Sequence, residues 1–206
     1  MPILYSNENL VANQIEGDAF IIVDLEYTSW HDSLKTGWSG KGQYREIVNI
    51  GAIKVQNLSS TLRVVDQFDV LVKPKINPVL SEYFINLTGI TNDMVAAGLS
   101  YENAMQKFLQ FSSSIEYFYA NGNDYSVIIE NLMLNDSQIK CPEIRSIRNL
   151  LSKSLGLNTQ DTISSELYKF TDMKDTISLR SHSGLDDCIS ILIAIAHINH
   201  KKLELT

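Results

Sequence analysis

The chain has 206 residues, 44% of them aliphatic, aromatic or sulfur-bearing and 20% charged. Those are the proportions of one soluble globular domain, and they exclude a disordered tail, a collagen-like rod and a coiled coil. Its 17 basic and 24 acidic residues leave a net charge of −7, the wrong sign for a module that holds nucleic acid by phosphate neutralisation alone, but open to an enzyme whose acids hold metal ions that then supply the positive charge.

In chain order, residues 19–26 (AFIIVDLE) are apolar and β-branched and end in acids, which reads as a buried strand. A polar loop with Gly and Trp follows over 27–45, then two strands at 46–56 and 62–72, joined by a short polar turn and expected to be antiparallel. Helical patterns occupy 79–87 and 100–115, and 116–122 (EYFYANG) reads as a fourth strand. Helices are expected at 124–134, 143–155 and 163–170, and a long apolar helix at 184–200 closes the domain. The order gives a single α/β domain with a mixed sheet flanked by helices over 19–200, an N-terminal extension at 1–18 and a tail at 201–206. Apolar runs such as 189–196 are too short to span a bilayer. The start lacks a basic segment followed by an apolar one, and Cys141 and Cys188 make no disulfide framework, so a cytoplasmic location is expected. The last helix is read as core, with a face that could support a homodimer.

Asp24 and Glu26 are two apart in a strand, so both carboxylates share a face while Ile21, Val23 and Leu25 point the other way. Acids at the end of an apolar strand must be solvated, paired or bound to metal. Chance alone gives Asp-x-Glu about 0.7 times in such a chain, so the pair is weak by itself. Asp124, after the fourth strand, reads as a helix N-cap or as a metal ligand, which are compatible roles. Ser183 and Asp186 have capping-box spacing, which starts the last helix at Ser183. His182 then lies outside the helix and Asp187 one turn in. Within one helix, five residues apart would separate them, but a break at Ser183 lets them converge. The bland reading is a solvated histidine before a cap. Together, Asp24, Glu26, Asp124 and Asp187 are hard oxygen ligands that suit Mg²⁺ or Mn²⁺ and not zinc. Two such ions with a histidine nearby are the composition of a phosphodiester-hydrolysis site.

On these residues the chain resembles the DEDD superfamily of 3′–5′ exonucleases, in the subclass with a catalytic histidine. Its motifs stand here as IIVDLEYTSW, YANGNDYSVI and HSGLDDCISILIAIAHI. The segment 73–95 (KPKINPVLSEYFINLTGITNDMV) with HSGLDD is similar to the Eri1-like and KapD-like exonucleases, which trim RNA 3′ ends. The resemblance implies an RNase H-like fold and two Mg²⁺ or Mn²⁺ ions. Asp24, Glu26 and Asp187 would hold one ion, Asp24 and Asp124 the other, and His182 would be the general base. It also implies that Tyr27 and Thr28 sit against the terminal nucleotide, and that Leu87, Thr88, Gly89 and Ile90 border the last base. Asn121 stands where those relatives have an acid and is expected near the substrate. Asn123 replaces their Trp.

A strand path is suggested by Lys140, Arg145, Arg148 and Lys153 against one acid, with Arg145 and Arg148 sharing a helix face and Trp30 or Trp38 as stacking platforms. The plainer alternative is a solvated helix face and two anchoring tryptophans, just as Cys188 reads as a packed thiol. The expected function is hydrolysis of single-stranded RNA, or DNA, from the 3′ end to nucleoside monophosphates. Alternatives are a short-oligonucleotide hydrolase and a catalytically silent module that binds nucleic acid or protein.

Overall fold

Ala19–Tyr27 form strand β1, in the middle of the sheet. From there the chain runs through a short helix α1 (Ser33–Thr36), strands β2 (Ile47–Asn57) and β3 (Thr61–Leu71), and helices α2 (Glu82–Thr88), α3 (Asn92–Ala96) and α4 (Tyr101–Phe111). Strand β4 (Tyr117–Ala120), helix α5 (Asp124–Leu134), the two-residue strand β5 (Arg145–Ser146) and helix α6 (Arg148–Leu155) come next. Two 3₁₀ turns, Thr159–Asp161 and Ser164–Phe170, lead to helix α7 (Gly184–Ile198) and strand β6 (Lys202–Glu204). This computed structural model describes residues 12–205, so residues 1–11 of the expected extension and Thr206 of the expected tail lie outside the described residues.

The sheet has the order β5-β4-β1-β2-β3-β6. β1, β2 and β3 are antiparallel neighbours, while β4 runs parallel to β1, β5 to β4 and β6 to β3. The alternation of β1 divides the core in two. Phe20 and Ile22 pack with α6 and α7 on one face, and Ile21, Val23 and Leu25 pack with α4 and α5 on the other. The apolar stretch of α7 is buried from Cys188 to Ala196, so the face that could have supported a dimer is taken up inside the chain. No helix among the described residues is long and apolar enough to cross a membrane.

Three differences from the sequence reading have local causes. The expected helix 143–155 is split. Arg145 and Ser146 pair in parallel with Tyr119 and Ala120, and α6 starts only at Arg148, so Arg145 and Arg148 do not share a helix face. The segment read as a tail carries β6, which pairs with Thr61–Arg63 and covers the outer edge of β3. Helix α3 was not expected, yet the Thr91 hydroxyl caps it by accepting from Met94 N.

The start of α7 lies directly against β1 and β2 because two glycines face each other there. A Cβ on Gly51 would come within 2.1 Å of the Gly184 carbonyl carbon, and one on Gly184 within 2.5 Å of Asn49 Oδ1. Gly51 is also the register partner of Asp24. The close approach that only glycine permits therefore sets the first turn of α7 beside the acidic end of β1.

Candidate active site

Asp24 and Glu26 continue the face of β1 that begins with Phe20 and Ile22, so both project towards α7 where its apolar stripe ends. Asp187, in the first turn of α7, comes down onto them, and its backbone N–H bonds to Ser183 O at 2.8 Å. His182 sits just before the helix in the left-handed region, with φ of 57°, a conformation that polar residues such as His and Asn adopt more readily than most. That break returns the imidazole to Asp187: one ligand atom each from Glu26, His182 and Asp187 lies within 4.8 Å of the others. The expected capping box does not form. Ser183 makes no side-chain cap, and the Asp186 carboxylate instead accepts from Arg180 N at 3.1 Å.

Asp124 is the first residue of α5 and not its cap, which is Asn123. Its Oδ1 turns back to accept the backbone N–H of Leu25 at 3.2 Å, which ties the second motif to the first. Gly122 keeps room for this carboxylate, since a Cβ there would meet Asp124 Oδ2 at 3.0 Å.

All four carboxylates are buried. Burial and the neighbouring charges of Asp124, Asp187 and Glu26 push the Asp24 carboxyl well above the usual range, against a hydrogen bond from the Ser164 hydroxyl. Burial, then Asp187 and Asp124, push Glu26 up to about 8, with Arg180 acting against them. Burial raises Asp187 to about 7 and Asp124 to about 6, the latter held down by backbone N–H groups and Arg148. Burial lowers His182, so its ring is neutral near pH 7. Asp187 Oδ1 is buried without a hydrogen-bond partner. Like charges packed together with an orphaned oxygen are what a divalent cation would neutralise, and the all-oxygen carboxylate set fits Mg²⁺ or Mn²⁺.

These residues floor a cleft of about 530 Å³. Tyr27 and Leu87 line it, as do Trp30, Trp38, Tyr83 and Arg148. Trp38 is anchored: its indole donates to Thr28 O at 2.8 Å, and its ring packs on Tyr27 and under the Arg45 guanidinium. Other expected substrate contacts lie elsewhere. Thr28 is buried, its hydroxyl bonded to Tyr44 O and Glu46 N. The Thr88 hydroxyl is turned into its own helix, donating to Phe84 O. Gly89 is the left-handed end of α2, and Ile90 faces a second cleft. Asn121 is fully buried. Its amide donates to Thr162 O at 2.8 Å and to Ser164 Oγ at 3.2 Å, so it supports the hydroxyl that serves Asp24 and does not meet the cleft. Sequence reasoning missed Ser164 and its neighbours Thr162 and Ile163, which close the cleft. They carry no motif and reach the site only through the 3₁₀ turn.

A profile of the RNase T family, described as exonuclease, matches residues 21–195. The chain is 31% identical to the 3′-5′ exoribonuclease 1 of Rattus norvegicus over 142 residues, which cover 64% of this chain and 41% of that protein. It is 32% identical to the PolC-type DNA polymerase III of Pediococcus pentosaceus over 111 residues, 54% of this chain and 6% of the polymerase. The chain thus spans less than half the length of these curated relatives. Among solved structures, the nuclease domain of 3′hExo, a DEDDh family member bound to rAMP, aligns with 89% of this chain and 92% of its own at a TM-score of 0.67 and 20% identity, which shows a shared fold. The mixed sheet with flanking helices is accordingly of the RNase H-like kind expected from the motifs.

Proposed function

The chain belongs to the RNase T exonuclease family, and from that premise we propose that it is a divalent-metal-dependent 3′–5′ exonuclease that releases nucleoside monophosphates from single-stranded RNA, with single-stranded DNA as a second substrate. The observation that carries this reading is the convergence of Glu26, His182 and Asp187 within 4.8 Å beside buried Asp24 and Asp124, at the floor of an open cleft. The 3′ polarity and the preference for RNA rest on the likeness to the rat exoribonuclease.

Asp24, Glu26 and Asp187 would hold one Mg²⁺ or Mn²⁺ ion, and Asp24 with Asp124 a second. Bound there, the ions would offset the carboxylate charge and polarise the scissile phosphodiester. Neutral His182 takes a proton from the attacking water. As the new bond to phosphorus forms, the bond to the upstream 3′ oxygen breaks and that oxygen takes up a proton, leaving a 5′-monophosphate and a strand shortened by one nucleotide that ends in a 3′ hydroxyl. Tyr27, Leu87 and Trp30, which line the cleft, would give the terminal nucleoside an apolar contact, and Arg148, also in the lining, would offer a cation to its phosphate. The net charge of −7 favours, as a second reading, a preference for oligomers of a few nucleotides, which need less phosphate neutralisation. The unpaired Cys141 and Cys188 suit a reducing cytoplasm as the place of action.

The test is digestion of 5′-labelled single-stranded RNA and DNA with Mg²⁺ or Mn²⁺, wild type beside Asp24→Ala and His182→Ala. A ladder that shortens from the 3′ end and vanishes in both variants and in EDTA is expected. A folded, metal-loaded protein that cuts neither polymer nor short oligomers overturns the reading in favour of a silent binding module.

A further inference from the structure

We propose that a second cleft, across His182 from the first, binds the nucleotide immediately 5′ of the scissile phosphate. This deepens the exonuclease reading and rests on it. The second cleft encloses about 550 Å³ between the ends of β2 and β3, helices α3 and α4, and the start of α7. Among the described residues that line the two clefts, His182 alone is common to both. A phosphodiester cut beside His182 has one nucleotide on each side. If the terminal nucleotide fills the carboxylate cleft, the strand continues past the histidine, and this cavity is what it meets there.

The lining suits a nucleotide. Lys107 from α4 and Arg180 from the loop before α7 both face the cavity, a local excess of positive charge in a chain whose net charge is −7. Its one carboxylate, Asp69, is engaged by Asn49 Nδ2 at 2.6 Å. The backbone N–H of Arg180, two residues before His182, donates to Asp186 at 3.1 Å, which ties the loop that carries it to the start of α7. Ile90 and the exposed Met94 give an apolar surface for a sugar or base, the thioether being well suited to an aromatic ring. The two cations would then meet the phosphate on the 5′ side of the upstream nucleotide.

A substrate series separates this site from the first. The p-nitrophenyl ester of uridine 5′-monophosphate has a terminal nucleotide but no upstream one, whereas the 5′-phosphorylated uridine dinucleotide has both. Because p-nitrophenolate leaves more readily than a 3′ oxygen, the quantity read is the ratio of dinucleotide to ester kcat/KM with Mn²⁺, compared between wild type and each variant. In Lys107→Ala and Met94→Asp, both at exposed positions, the ratio of dinucleotide to ester kcat/KM should fall about tenfold. A ratio that stays at the wild-type value in both variants overturns the proposal, including the case in which both substrates lose activity equally through poor folding. Wild-type protein that hydrolyses neither ester nor oligonucleotide overturns the exonuclease reading itself, and the second site with it.

Discussion

Glu46 and Asp187 are buried to nearly the same degree, at 2% and 4% exposure, yet they end in opposite situations. The Glu46 carboxylate accepts three backbone N–H groups from one loop, Lys75 and Ile76 at 2.7 Å and Asn77 at 2.5 Å. Asp187 lies among three further acids and has an oxygen with no hydrogen-bond partner. Burial of a carboxylate is therefore not what marks a site in this molecule. What marks it is that the fold supplies donors to both oxygens of one isolated buried acid, and packs the other acids against one another with a donor missing at Asp187 Oδ1, which makes the first a structural anchor and leaves the second to be completed by a cation.

The sharpest way to break that contrast is to remove a charge from the unfinished group. Asp187→Asn keeps the shape of the side chain but lowers the carboxylate repulsion. Turnover of single-stranded RNA is expected to fall by about a thousandfold or more, as for loss of a group that contributes only when the reaction centre is assembled. The metal-free variant should at the same time melt higher than wild type at pH 8, because one of the mutually repelling charges is gone. A variant that loses activity and melts lower in the absence of metal would make Asp187 an ordinary structural residue.

The same repulsion gives the molecule a pH dependence. Each of these carboxyls binds its proton more tightly in the folded chain than in the unfolded one, where values near 4 apply. Their effect on stability is accordingly nil at acid pH and grows unfavourable as pH rises above about 4, levelling off near 6 for Asp124, 7 for Asp187 and 8 for Glu26. Metal-free protein should melt lower at pH 8 than at pH 5, by several degrees, corresponding to a change on the order of a few kcal/mol. Saturating Mn²⁺ should raise the melting temperature more at pH 8 than at pH 5, since the ions bind the ionised carboxylates. A metal-free melting curve that does not move between these pH values would remove the like-charge cluster from the account.

Much of the unfinished group was legible in the sequence because it follows from local rules. Period-2 alternation put Asp24 and Glu26 on one face, and a break before the last helix let His182 and Asp187 converge. What local rules could not supply was the identity of each hydrogen-bond partner. Asp124 looked like a cap, but its carboxylate bonds to Leu25 N on another strand. Asp186 had capping-box spacing but serves Arg180 N. Arg145 seemed to continue a helix, and pairing with β4 made it a strand residue, its guanidinium bonded to Glu16 at 2.7 Å. Asn121 and Ser164 are linked only because the 3₁₀ turn folds back on the end of β4. Neither Glu46, just before β2, nor the 75–77 loop carries any signal that they meet, because a loop that offers three N–H groups is a property of backbone geometry and not of residue type.

The finished acid provides the control, and the smallest effect. Glu46→Gln keeps one acceptor oxygen and places an amide NH₂ where the other accepted, so at least one of the N–H groups of residues 75–77 loses its partner inside the protein. An unsatisfied buried donor costs about 1–3 kcal/mol, which for a chain of this size lowers the melting temperature by roughly 2–12 °C. Because Glu46 serves the loop and not the cleft, the rise in melting temperature on adding Mn²⁺ should match that of wild type, and RNA turnover measured well below the transition should stay within about twofold. The variant thus loses stability and keeps metal response, the reverse of Asp187→Asn. If Glu46→Gln instead abolished the Mn²⁺ response, the two buried acids would belong to one coupled system, and the division between an anchor completed by the chain and a site completed by a cation would fail.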